Sequence, residues 1–214
     1  MSYKGFIFDL DGTLLNSMPV CYIGFRKTLL RFLGREFSDD EIKGLFGPTE
    51  EGVFKKILPD NWQDCLSYYL EQYNLAHLDY AEPFPGIVRA LELLTKRNMR
   101  LAIVSGKGPG SMEISLKHSN LGGFFEMVIT GSEHGANKPN DLRQVLRKWD
   151  YAPGEVAYVG DMPYDVSAAN EVGIDSIAAV WANTSDIRKI EAMNPTRIFT
   201  DVESFIEWIK RSNE

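Results

Sequence analysis

The sequence predicts an α/β protein, a Rossmann-like parallel sheet core with an inserted α-helical cap. Three observations carry that expectation. Short apolar runs rich in β-branched and aromatic residues recur at Gly5 to Phe8, Leu101 to Val104, Met127 to Ile129, Val156 to Val159 and Ile174 to Val180. They are apolar on both sides of any alternation, as strands buried on both faces are. Helix-length amphipathic stretches separate these runs, which indicates βαβ units and a parallel sheet instead of a meander. The third observation is a break in that rhythm: from about residue 18 to residue 82, helical patterns follow one another with no strand-like run.

Each element has its own local reason. Ile87 to Lys96 places Val88, Leu91 and Leu94 on one helical face, and Asp141 to Trp149 does the same with Leu142, Val145, Leu146 and Trp149. Inside the insertion the helical stretches run from Val20 to Leu33, ended by Gly34, from Asp39 to Leu45, from Glu50 to Leu58, stopped by Pro59, and from Trp62 to Leu75. Ser38 ahead of Asp39, Asp40 and Glu41 offers an N-cap and an acid-biased first turn. The return passage from Tyr80 to Gly86 carries two prolines and a glycine, as a stiff link between two packed units would. The expected division is therefore a core of residues 1–17 and 83–214 and a helical cap of residues 18–82, moving about 15–18 and 80–86.

Composition narrows the function. The 214 residues are 44% hydrophobic and 25% charged, and 23 Lys+Arg against 30 Asp+Glu give a net charge of −7. These are the proportions of a globular protein, and the sign argues against nucleic acid or an anionic membrane as partner. The first apolar run meets an acid at Asp9, too early for a secretory h-region of about 7–15 residues. No run approaches the ~18 apolar residues of a membrane span. Cys21 and Cys65 form no metal-binding pattern and read as reduced thiols. A cytoplasmic location is expected, with a monomer or small homo-oligomer as the assembly.

In an open α/β sheet, ligands bind beyond the carboxyl ends of the strands. The residues there are Asp9-Leu10-Asp11-Gly12-Thr13-Leu14, Ser105-Gly106, Lys138-Pro139 and Gly160-Asp161-Met162-Pro163-Tyr164-Asp165. Singly, they read as an Asp-Gly turn, a strand-to-helix loop, a solvated lysine and an acidic first helical turn. Their order behind successive strand patterns points to one site. Several carboxylates on one sheet edge need a cation, and all-oxygen ligation suits Mg²⁺. Asp9 is then placed to attack phosphorus and form an aspartyl-phosphate. Asp11 is the candidate acid for the leaving alkoxide and base for the hydrolytic water. Ser105, the neighbouring Gly106 backbone and Lys138 would hold the phosphoryl oxygens.

These four segments resemble the four motifs of the haloacid dehalogenase-like hydrolase superfamily. A helical insertion directly after the first motif is similar to the cap of the subgroup containing phosphoglycolate phosphatases, β-phosphoglucomutases and a cytoplasmic pyrophosphatase. The resemblance implies Asp9 as nucleophile and magnesium ligand, Asp11 as acid/base and ligand through its main-chain carbonyl, Ser105 and Lys138 on the phosphate, and Asp161 on magnesium. Asp165 would support the metal through water. Asn16-Ser17 and Asn140 depart from the common pattern at a hinge and a loop position, and no proposed ligand is lost. Relatives that cleave carbon–halogen or carbon–phosphorus bonds lack the second acid, so Asp11 speaks against both activities.

The expected activity is Mg²⁺-dependent, phosphoglycolate phosphatase-like hydrolysis of a small phosphorylated metabolite. A β-phosphoglucomutase-like phosphotransferase and a pyrophosphatase are the alternatives, and a non-catalytic binding module a distant one. The loop from Phe46 to Gly52 is expected to face the substrate, where Glu50 and Glu51 would suit an uncharged or cationic leaving group better than a second phosphate. The glycines from Val104 to Gly110 fail as a dinucleotide fingerprint because no acid ends the following strand, and no P-loop exists. His134, near Lys138 in sequence, reads as a loop histidine, and Trp149 and Trp181 as core or rim residues.

Overall fold

The computed structural model describes residues 3–80, 82–135 and 137–211. Six parallel strands form one sheet: β1 (Gly5–Phe8), β2 (Arg100–Val104), β3 (Met127–Ile129), β4 (Val156–Gly160), β5 (Asp175–Ala179) and β6 (Arg197–Phe199), in the order β3-β2-β1-β4-β5-β6. The chain steps outward from β1 through β2 to β3, then returns to lay β4 on the other side of β1. That reversal of strand order opens a crevice at the carboxyl ends of β1 and β4, where open α/β sheets bind ligands.

Alternation within the strands feeds two cores. Phe6 and Phe8 of β1, Ile103 of β2 and Val159 of β4 share a cluster with Leu91 of α5 (Ile87–Lys96) and Phe205 of α10 (Val202–Arg211). Ile7, Ala102, Val104 and Tyr158 turn to the other face and meet Leu142, Val145 and Trp149 of α7 (Lys138–Trp149) and Ala168 of α8 (Pro163–Val172). Because β1 and β4 are buried on both faces, their side chains are apolar but for the Tyr158 hydroxyl, and the first charged residues appear where each strand ends.

The remaining core helices are α6 (Pro109–Ser119) and α9 (Ile187–Glu191), and the inserted helices are α1 (Met18–Leu33), α2 (Asp39–Lys43), α3 (Glu50–Ile57) and α4 (Trp62–Tyr80). Gly34 ends α1 in the left-handed conformation at φ 71°, which costs glycine little. Ser38 and Glu41 close a reciprocal capping box at α2. The inserted helices have a core of their own, built from Val20, Phe25, Leu29, Phe54, Tyr69 and Tyr73 among others. The two chain crossings run side by side: the Asn16 N–H donates to the Glu82 carbonyl at 3.0 Å and the Phe84 N–H to that of Leu14 at 3.1 Å. Of the return passage read from Tyr80 to Gly86, Ala81 lies outside the described residues.

Strand β6 and the extension of α4 to Tyr80 go beyond the sequence expectation. Both cysteines are buried free thiols. Among the described residues no helix is long and apolar enough to cross a membrane.

Candidate active site

Asp9 follows the last residue of β1. Its N–H donates to the Val159 carbonyl at 2.9 Å, continuing the β1–β4 ladder, while its Oδ1 accepts from the Leu10 N–H at 2.8 Å. The chain then coils tightly, with the Leu14 and Leu15 N–H groups both donating to the Leu10 carbonyl at 2.9 and 3.0 Å. Gly12 makes the turn at φ 81°, and a Cβ there would lie 2.3 Å from Asp161 Oδ2. Glycine is thus required twice, for the backbone angle and for the approach of the second carboxylate. The Thr13 hydroxyl donates to Asp161 Oδ1 at 3.0 Å, and the Trp181 indole N–H secures the Thr13 carbonyl at 2.9 Å.

Asp161 follows β4, and Pro163 starts α8 in the first turn, where a missing N–H costs nothing. Asp165 bonds back to the Met162 N–H through Oδ2 at 2.9 Å, leaving Oδ1 for the Tyr158 hydroxyl at 3.1 Å and Lys138 Nζ at 2.5 Å. Lys138, the first residue of α7, also reaches Asp9 Oδ2 at 2.8 Å.

Asp9, Asp161 and Asp165 are buried, and one carboxylate oxygen from each lies within 4.8 Å of the other two. Burial, then the Asp165 and Asp9 charges, push Asp161 well above the usual carboxylate range. Burial also raises Asp9 against the opposing pull of Lys138. For Lys138 burial acts downward, but the neighbouring Asp165 and Asp9 outweigh it and hold the ammonium well above its ordinary value. One lysine shared by two acids leaves surplus negative charge, and no salt bridge reaches Asp161 among the described residues. A buried all-carboxylate set with an uncompensated member fits a hard divalent cation such as Mg²⁺.

Asp11 is placed differently. Its side chain stands outside the three-carboxylate cluster, accepts from the Ser17 hydroxyl, and lies 3.1 and 3.0 Å from Lys107 Nζ through its two oxygens. Lys107 was not singled out by sequence reasoning. It is buried, stands over the Tyr73 ring at 4.6 Å and lies 3.7 Å from Cys21 Sγ. Its position two residues beyond Ser105 on the same strand end was the available signal. Ser105, also buried, receives the Lys107 N–H at 3.4 Å and hydrogen-bonds Asp9, lowering that acid's pKa in opposition to burial. Gly106 lines the same cavity, while the side chain of His134 is 87% exposed and points to Glu133.

The loop from Phe46 to Glu50 covers the site, and Glu50 and the following Glu51 are each held by protein partners. Glu50 accepts from the Gly108 N–H at 3.0 Å and the Ser111 hydroxyl at 2.5 Å, at the start of α6. Glu51 pairs with Lys55 at 2.7 Å. Beneath the loop is a cavity of about 430 Å³ with Asp9, Asp11, Gly106, Lys107, Lys138 and Asp161 on its core side.

A profile of haloacid dehalogenase-like hydrolases matches residues 6–179. A protein from Bacillus mycoides named pyrophosphatase PpaX is 26% identical over 216 residues, covering all of both chains. Its namesake from Bacillus cereus is 28% identical over 184 residues, 85% of each chain. Among solved structures, a predicted phosphoglycolate phosphatase from Haemophilus somnus superposes with TM-score 0.82 at 19% identity, over 98% of this chain and 99% of that one. A haloacid dehalogenase-like hydrolase from Streptococcus pneumoniae gives 0.78 at 25% identity, over 97% and 98%.

Proposed function

The chain belongs to the haloacid dehalogenase-like hydrolases, and on that premise we propose that it is a Mg²⁺-dependent phosphatase acting on a small phosphorylated metabolite through phosphorylated Asp9. The observation that carries this reading is the separation of two carboxylates by their partners. Asp9 is tied to Lys138, and Asp11, two residues on, is tied to Lys107 and Ser17. Groups placed in such different surroundings can divide the work of nucleophile and acid/base.

In this mechanism Asp9 Oδ attacks phosphorus as the bond to the leaving oxygen breaks. Lys138, the Ser105 hydroxyl and the Gly106 backbone hold the phosphoryl oxygens and neutralise their charge. Asp11 gives a proton to the leaving alkoxide, then takes one from the water that attacks the phosphorus of phosphorylated Asp9, regenerating the carboxylate. Lys107 and Ser17 fix the Asp11 side chain for both transfers. Asp9, Asp161 and the Asp11 carbonyl would hold the cation, with Asp165 supporting it through water. When bound there, magnesium would supply the charge neutralisation that lets a carboxylate approach a phosphate dianion.

Residues 18–82 act in this reading as a cap that excludes water from the cavity, hinged where residues 14–16 pair with 82–84. The test is hydrolysis of 4-nitrophenyl phosphate with Mg²⁺. Asp9→Asn should lower turnover by on the order of 10⁴-fold or more while the protein stays folded. Turnover near that of the parent would overturn the assignment.

A further inference from the structure

We propose, resting on the phosphatase reading above, that the leaving group is the alkoxide of an alcohol carrying an aromatic ring, seated against the aromatic wall of the inserted helices. The cavity of about 430 Å³ lies within the range of roughly 300–1,000 Å³ that encloses whole organic ligands. Its wall on the side of the inserted helices carries a contiguous apolar patch of Met18, Tyr22, Phe25, Phe46 and Tyr69, with Lys43, Thr49 and Glu50 beside it. The rings are contiguous. Tyr22 and Phe46 stack at 6.1 Å with planes 15° apart, Phe46 lies 5.9 Å from Phe25, and Phe25 lies 4.8 Å from Tyr69. Phe46 is 38% exposed and Met162, which lines the same cavity from the core, 43% exposed. A ring between them would remove that apolar surface from water.

Charge argues the same way. Lys107 is engaged by Asp11, and Lys138 by Asp9 and Asp165. Glu50 has spent both oxygens on the start of α6. Lys43, exposed on α2, is the cavity-lining lysine without an ion pair among the described residues. A compact anionic leaving group, such as a second phosphate or a glycolate carboxylate, would find the two deep lysines already matched and, among the described residues, only the exposed Lys43 open to meet its charge.

The test compares 2-phenylethyl phosphate with ethyl phosphate, two alkyl esters of closely similar leaving-group basicity, so that chemical reactivity does not mask binding. The ring should raise kcat/KM by about 10–100-fold, the range expected for burying one aromatic side group. Pyrophosphate and phosphoglycolate should be no better than ethyl phosphate. Phe46→Ala should cut the phenylethyl-to-ethyl ratio at least about fivefold, a ratio read within one folded variant. Calorimetric titration with 2-phenylethylphosphonate and ethylphosphonate gives the same comparison without turnover. A ratio near one, or a preference for pyrophosphate or phosphoglycolate, overturns the ring-bearing leaving group and leaves the phosphatase standing. No hydrolysis of any ester, with tight and selective binding of the phenyl phosphonate, overturns the phosphatase and supports the ring site. Absence of both turnover and selective binding overturns both.

Discussion

Lys107 Nζ sits 3.1 and 3.0 Å from the two carboxylate oxygens of Asp11, with 2% of the lysine side chain and 20% of the aspartate exposed. Burial works against the ammonium, yet the facing Asp11 carboxylate, foremost among its neighbours, holds its pKa well above the ordinary value. Lys107 thereby fixes on the cavity wall the one acid that the proposed mechanism needs twice. Lys107→Met keeps most of the side-chain volume and removes the charge. We expect hydrolysis of ethyl phosphate, which needs a proton on its leaving group, to fall by about 10²-fold or more. Hydrolysis of 4-nitrophenyl phosphate, whose leaving group needs none, should fall by less. Equal losses on the two esters would show that Lys107 serves binding or folding and not the proton transfer.

The three buried carboxylates repel one another, and a divalent cation held by them would relieve that repulsion only in the folded state. Millimolar Mg²⁺ should therefore raise the urea midpoint by an amount equivalent to about 1–3 kcal/mol. In Asp161→Asn the midpoint should be higher without metal and insensitive to it. Equal responses of parent and variant to Mg²⁺ would place the cation elsewhere.

Glu50 joins the inserted helices to the start of α6 through the Gly108 N–H and the Ser111 hydroxyl. Glu50→Ala leaves those buried donors without their acceptor, so a loss of about 1–3 kcal/mol is expected in urea unfolding. Glu50→Gln, which retains one acceptor oxygen, should lose less. Identical stabilities of Ala and Gln variants would remove the hydrogen-bond explanation.

His77 of α4 stands against Ser115 of α6, with Nε2 3.2 Å from the hydroxyl and its ring stacked on His118 at 5.1 Å. Burial, then the charges of Lys107 and His118, hold its pKa down at about 4, with Asp11 opposing. The unfolded chain takes up this proton near pH 6.5, so the folded form loses stability as pH falls from about 6.5 to 4. At pH 4 the loss from this one group is about 3 kcal/mol. His77→Gln should flatten that part of the stability profile relative to the parent, measured by urea unfolding at pH 7 and pH 4. Parallel profiles would show that His77 does not titrate in this way.

The sheet edge was legible because its signals are local. Asp9, Asp161 and Lys138 each follow a short apolar run or open the next helix, and strands buried on both faces leave little ambiguity about where the runs stop. Lys107 was not legible, since Gly106-Lys107-Gly108 looks like a solvated loop until α4 brings Tyr73 over it. Helix α6 hid for a related reason: two of its three buried positions are Ser111 and Ser115, satisfied by Glu50, Tyr73 and His77, and Met112 alone makes no apolar stripe. Glu50 matched a helix-start pattern that was correct locally, but its tertiary partner lies 58 residues away. Strand β6 has only three residues, and the first is an exposed arginine. Long-range pairing decides such residues, and no short window of sequence contains it.

The central claim is that Asp9 carries the phosphoryl group, and the Asp11→Ala variant isolates that step. With 4-nitrophenyl phosphate the first transfer needs no acid, whereas hydrolysis of the intermediate still needs the missing base. Rapid acid quench followed by peptide mass spectrometry should find one phosphoryl group per chain on the peptide containing Asp9, matched by a stoichiometric burst of nitrophenol. A burst with the phosphoryl group on another residue, or steady turnover with Asp9 unmodified, would contradict the account.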